Sequence, residues 1–227
     1  MVKQKKKKKR RLKISSVFIS LFFIFIISII IYFIRLIPCR GYYIYNNKYY
    51  SDEEILDILK LDDNTSYLLT NQVYLNSLVK KNKLIKKIRL QKTMTLEFKI
   101  YVEENRIMFY DTNINKTVLS NGEKIDLKDN DTILLTSKIE DKKLYKKLYT
   151  KMDKIDEDIM PIISEIKYDK NDVDDERFLF SMNDGNYVYI TLSKMRKINN
   201  YGKIVESIKD QKGILYLDYG NYFVPKE

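Results

Sequence analysis

ISSVFISLFFIFIISIIIYFI, residues Ile14–Ile34, runs for twenty-one residues without a charge, interrupted only by Ser15, Ser16, Ser20, Ser28 and Tyr32. As a helix at ~1.5 Å per residue the stretch reaches roughly 30 Å, the thickness of a bilayer's hydrocarbon core. Its flanks are unequal. Nine basic residues precede it, Lys3, Lys5, Lys6, Lys7, Lys8, Lys9, Arg10, Arg11 and Lys13, whereas Arg35 and Arg40 alone follow closely. Basic flanks are retained in the cytoplasm, so the expectation is a single-pass anchor with its N-terminus inside and all later residues outside, a type II membrane protein. A cleaved signal peptide fits less well, because the apolar run is longer than a usual signal core and no small-x-small site follows. Leu36-Ile37-Pro38-Cys39 loosely resembles a lipoprotein cleavage site, but Pro38 stands where a small residue is needed.

The formal charge of +11 suggests nucleic-acid binding until it is located. The basic tail and the two flanking arginines account for all of it, and residues 41–227 sum to zero. The basic balance is a topology signal, and no nucleic-acid partner is expected. With one Cys and no His there is no intramolecular disulfide, no His-based triad and no ordinary zinc site. The acid runs Glu103-Glu104, Asp156-Glu157-Asp158 and Asp174-Asp175-Glu176 read as solvated charge. Asp169–Asp174 lacks the central Gly and final Glu of a calcium loop. No phosphate-cradling loop and no G-x-S-x-G occurs. The reading is a non-enzymatic protein with no cofactor, no metal and no small-molecule substrate.

Beyond the anchor, Pro38 and Gly41 punctuate the chain, and Tyr42 to Tyr45 reads as a strand ending in an Asn46-Asn47 turn. Ser51 and Glu54 form a capping box, followed by Ile55, Leu56, Ile58 and Leu59 at helical spacing. A second helical segment carries Leu68, Leu75, Leu78 and Val79. The period then changes to two. Ile88 and Leu90 alternate with charged neighbours, and Leu96, Phe98, Ile100 and Val102 alternate with Glu97, Lys99, Tyr101 and Glu103. The order strand, helix, helix, strand, strand predicts a small α+β domain over residues 41–104.

Residues Ile44 to Ile55 resemble the opening of a POTRA domain, with its V-x-G-N-x-x-(Y/F)-S-x-x-x-I pattern. Asn47, Ser51 and Ile55 take the motif positions, Glu54 is the capping-box partner of Ser51 and a further fold determinant, and Asn46 replaces the turn Gly as the next best left-handed residue. Leu84–Leu90 and Leu96–Glu104 resemble the closing strands, with Ile88, Leu96, Phe98, Ile100 and Val102 as fold determinants. A basic tail, one span and a POTRA domain resemble the bacterial division family FtsQ/DivIB. Val118-Leu119-Ser120-Asn121-Gly122-Glu123-Lys124-Ile125 is similar to that family's hairpin.

The later chain is read as strands at Arg106–Tyr110, Ile133–Leu135, Ile163–Tyr168, Arg177–Met182 and Tyr187–Leu192, the last two joined through Asp184-Gly185. A helix is expected from Lys138 to about Ile159, stopped by Pro161. Another is expected around Ile198, Tyr201, Val205 and Ile208, with Gly213 as its stop. The organisation expected is a tail at 1–13, a transmembrane helix at 14–34, POTRA at 41–104 and a mixed β domain at 105–225, α+β overall. The resemblance implies a divisome scaffold at the septum that binds FtsB/DivIC and FtsL by strand addition. The terminal strand Ile214, Leu215, Tyr216, Leu217, Asp218 and Tyr219, with Tyr222 and Phe223, is the expected partner-binding edge, since it lacks the Lys or Pro that guard open edges. A membrane-anchored receptor or adhesion module is the alternative from another class.

Overall fold

The computed structural model describes residues 14–35, 37–127, 131–208 and 211–226. The basic residues Lys5 to Lys13 lie outside the described residues. The rest separates into two units: residues up to Lys80 together with Lys87–Glu103, and Lys81–Lys86 together with Glu104 onward.

The first unit begins with α1 (Ile14–Arg35). Most of its large side chains from Val17 to Phe33 are exposed on all sides. A helix with no polar stripe and no protein around it has the length and composition to cross a membrane. Strand β1 (Gly41–Tyr45) follows and ends at Asn46, whose φ of 66° is the left-handed turn expected of it. The Asn47 amide donates to Tyr50 O and to Asp52 Oδ1, each at 2.9 Å, fixing the approach to α2 (Asp52–Leu59). Both halves of the capping box are present: Ser51 Oγ accepts the Glu54 N–H at 3.2 Å, and Glu54 Oε2 accepts the Ser51 N–H at 2.8 Å. Ser51→Ala removes one acceptor from an otherwise unsatisfied helix end. Chemical denaturation is expected to show a loss of ~1 kcal/mol.

Helix α3 (Gln72–Val79), strand β2 (Ile85–Lys92) and strand β3 (Glu97–Glu104) complete this unit. β3 lies between β1 and β2 and runs parallel to β1. Ile55 and Leu59 of α2, Leu75 and Val79 of α3, Ile88, and Phe98, Ile100 and Val102 of β3 are all buried, so the two helical stripes and one face of the strands form the core. Two expectations need correction. Leu96 is not a strand residue: it closes the turn from Thr93 with φ 65°, half-buried, because this connection needs a left-handed residue and offers neither Gly nor Asn. Leu68 is exposed and lies before α3, which starts only where Asn71 can accept the Tyr74 N–H at 2.9 Å. Cys39 is buried, its thiol donating to Gly41 O at 3.2 Å.

The second unit holds strands β4 (Ile107–Asp111), β5 (Lys116–Leu119), β6 (Lys124–Ile125) and β7 (Leu134–Leu135), then helix α4 (Lys142–Met152). Strands β8 (Ile163–Tyr168), β9 (Arg177–Met182) and β10 (Tyr187–Thr191) follow. A 3-10 helix (Leu192–Asn200) runs into α5 (Tyr201–Ser207), and β11 (Gly213–Tyr216) and β12 (Tyr222–Pro225) finish the described chain. The strands form one sheet in the order β12-β11-β10-β9-β8-β7-β4-β5-β6. β10 is parallel to β11, and β7 is parallel to both β4 and β8. Gly122 (φ 83°) and Gly185 (φ 90°) take the left-handed positions of the β5–β6 and β9–β10 hairpins, as their sequence signals predict.

Alternation sorts each strand. Phe178, Phe180, Met182, Val188, Ile190 and Leu215 face a core that includes Leu144, Leu148 and Met152 of α4 and Leu192, Met195 and Ile198 of the 3-10 helix. The expected helix from Lys138 to Ile159 is shorter, because Asp141 caps it by accepting the Lys143 N–H and the chain turns after Asp153. Ile155 and Ile159 still reach the core from those turns. Gly213 does not stop a helix. It opens β11.

Candidate functional site

Four strands end the two sheets, and their backbones are differently protected. On β2, α3 side chains occupy the free edge: Asn76 Oδ1 accepts the Ile88 N–H at 3.0 Å and Gln72 Oε1 accepts the Leu90 N–H at 2.6 Å, while Gln72 Nε2 donates to Ile88 O. β6 is two residues long, and Lys83 Nζ donates to its Lys124 O at 2.9 Å. β1 carries exposed Tyr43 and Tyr45. β12 is the outermost strand of the larger sheet.

The terminal segment expected to be the edge is therefore one strand further in. β11 pairs on one side with β10 and on the other with β12, in register Ile214 with Val224 and Tyr216 with Tyr222. The physical reason is the turn at Asp218–Asn221, where Gly220 (φ 101°) lets the chain double back and cover β11 with its own last residues. Leu215, Leu217 and Asp218 are buried, so they hold the fold and present nothing to a partner. Ile214 and Tyr216 are half-buried on the outer face, Tyr219 and Tyr222 are 77% and 49% exposed, and Phe223 packs from β12 against the core. The true edge is also partly guarded, since it ends in Pro225 and Lys226.

Which groups of β12 are free follows from the ladder. The Lys226 N–H donates to Lys212 O at 2.7 Å, so alternation assigns the bonded pairs to Ile214/Val224 and Tyr216/Tyr222. The Gly213 N–H points the other way, to Asn186 Oδ1 at 2.9 Å, which agrees. Phe223 then directs both its N–H and its C=O outward, and Pro225 directs only a C=O.

The outer face beside this edge is aromatic. Tyr189, Tyr216 and Tyr222 stack across three strands with ring centroids 5.3 and 4.6 Å apart. Tyr187 and Val224 flank them on the same face, both exposed. At the inner end, Arg177 lies 3.5 Å over the Tyr189 ring, donates from Nε to Asp218 Oδ2 at 2.6 Å and pairs with Asp169 at 3.2 Å. Burial opposes the charge on Arg177, but the Asp218 hydrogen bond and the nearby carboxylates outweigh it and raise its pKa. Tyr187, Tyr189, Val224 and Arg177 were not among the residues expected at the site. The alternation Tyr187-Val188-Tyr189-Ile190 was the signal available for the first two.

Gly213 lets β12 approach. A Cβ there would lie 2.2 Å from Val224 O and 2.9 Å from Pro225 Cα. Gly213→Ala is expected to displace β12 at a cost of about 1–3 kcal/mol. Hydrogen exchange should accelerate at the Tyr222 and Val224 amides and leave those of β8 and β9 slow.

Residues 44–105 match the family model described as the POTRA domain, FtsQ-type. The chain is 25% identical over 231 residues to the cell division protein DivIB of Bacillus anthracis, covering 97% of this chain and 84% of that protein. It is 24% identical over 217 residues to DivIB of Bacillus cytotoxicus, covering 91% and 84% respectively. A solved structure of the major extracytoplasmic domain of DivIB from Geobacillus stearothermophilus is 20% identical with a TM-score of 0.39, covering 47% of this chain and 95% of that one. The resemblance to the FtsQ/DivIB family read from the motifs is thus matched by relatives along nearly the whole chain, and the α+β architecture with an N-terminal apolar helix is as expected.

Proposed function

We propose that this chain is a non-enzymatic division scaffold that binds FtsB/DivIC and FtsL outside the membrane by strand addition at β12. The similarity to DivIB proteins supports the division role. The single observation that carries the site is the outward N–H and C=O of Phe223 beside an exposed aromatic face. A partner strand gains backbone hydrogen bonds at the edge, while the Tyr ladder offers flat apolar area for its alternate side chains. In this reading residues 1–13 form the cytoplasmic tail, 14–34 the transmembrane helix, 41–104 the POTRA domain and 105–225 the partner-binding domain. The protein sits in the cell membrane at the septum with its N-terminus inside, and Lys5 to Lys13 supply the topology signal.

The test uses two substitutions in the full-length protein. Phe223→Pro removes the outward donor, and Phe223→Leu shortens the side chain but keeps it. Pull-down of FtsB/DivIC should weaken roughly tenfold with Pro relative to Leu, the scale of one lost intermolecular hydrogen bond at an edge. The two variants should melt alike. Equal binding by both moves the interface away from β12, with the open strand β1 of the POTRA unit next in line.

A further inference from the structure

A groove of about 480 Å³ lies between the end of α4 and the 3-10 helix Leu192–Asn200, on the second unit. Lys151 and Lys154 stand on one wall, and Lys194, Arg196 and Lys197 on the other. Among the described residues no carboxylate lines it, in a region whose residues 41–227 sum to zero charge. The cations are also poorly neutralised. Lys194 Nζ donates to the backbone carbonyl of Asp218, and Lys197 Nζ donates to the amide oxygen of Asn221 at 2.9 Å. Lys154 alone of the five has an ion pair among the described residues, a long one of 3.9 Å to Asp153.

Five like charges converging on one concavity repel one another, and this arrangement is stabilised when an anion enters. We infer that the groove binds a linear polyanion with phosphodiester groups along its backbone. Cations on both walls suit a chain charged along its own axis. An acidic peptide carries its charges out on side chains, and a flat bilayer surface cannot enter a cleft. Lysine heads are rotatable point-charge donors that adapt to tetrahedral phosphate oxygens, and Arg196 adds a planar fork. A second groove, lined by Lys124, Lys138, Lys142 and Lys146, is less one-sided, because Asp111 and Glu140 line it too.

The experiment is lysine footprinting of the full-length protein in neutral detergent, with poly(glycerol phosphate) as the probe. Acylation followed by mass spectrometry reads each lysine separately, so the basic tail does not confound the result. The polymer should protect Lys151, Lys154 and Lys197 several-fold and leave Lys142 and Lys146 reactive. The double variant Lys151→Gln/Arg196→Gln should lose protection at Lys154 and Lys197 and need roughly tenfold more polymer to restore it, with protection weakening as salt rises. Its charge-matched control, Lys142→Gln/Lys146→Gln, should behave as the parent. Equal losses in both double variants would mean diffuse attraction and overturn the site. Equal protection by poly-glutamate overturns the phosphodiester class, and protection by phosphatidylglycerol in mixed micelles but not by the polymer assigns the groove to lipid headgroups instead. Should the double variant fail to fold, the parent's footprint with the three probes decides alone.

Discussion

Arg177→Ala is expected to destabilise the second unit by about 3–5 kcal/mol, read from urea unfolding of the full-length protein in detergent. Asp218 is 8% exposed and loses its Nε donor, so a carboxylate is left in a nearly dry site with the Tyr219 N–H, at 2.8 Å, as its remaining side-chain hydrogen bond among the described residues. Asp169 and the Tyr189 ring lose their cation in the same step. Arg177→Lys should recover little, because a point charge cannot serve both carboxylates and lie flat on the ring. The informative companion is Asp218→Asn, which keeps a hydrogen-bond acceptor for Arg177 without a buried charge and should cost less than the alanine. A silent Arg177→Ala would mean that water reaches Asp218 and that the network is ornamental to stability. Because Arg177 underlies Tyr189, the first ring of the ladder, the same variant should weaken partner capture at β12 more than its loss of folded population explains.

Phe98→Ala should cost a comparable amount in the first unit, about 3–5 kcal/mol. Its ring is fully buried, stacks on Tyr67 at 5.3 Å between centroids and meets Tyr42 at 5.9 Å. Removing it leaves a cavity where strands and helices meet, and neither backbone can collapse without breaking the β1–β3 pairing at Tyr42 and Phe98. Phe98→Leu fills most of the space and should lose less than half as much. The measurement is again chemical denaturation. A small effect of both would place Phe98 outside the cooperative core and argue against the strand register.

Local chemistry in the sequence was enough for the apolar N-terminal helix, the capping box, the left-handed Asn46 and the hairpin at Gly185. Each is decided within a few residues, by hydropathy, by a side chain reaching its own backbone, or by a tolerated φ. The same holds for the core face of β3 from Phe98 to Val102, since strand geometry alone puts alternate residues on one side. Leu96 escaped that reading because the turn it completes is set by where β2 must return to β3, and period two cannot tell the last turn residue from the first strand residue.

Strand order is a different kind of information. That Ile214–Tyr216 lies second from the edge depends on Tyr222–Pro225 folding back across it, and on Gly213 having no Cβ in the way. Neither pairing leaves a signature in β11 itself. Arg177 and Asp218 are 41 residues apart and read separately as surface charge; only the sheet brings them to 2.6 Å and excludes water from the pair. The five cations of the groove are likewise unremarkable in a lysine-rich chain until α4 and the 3-10 helix set them face to face. The sequence by itself determined the apolar N-terminal helix and most of the helices and strands, because those choices rest on short-range sterics and burial periodicity. The tertiary structure decided which backbone edge stays open and which charges meet, because both depend on partners far away along the chain.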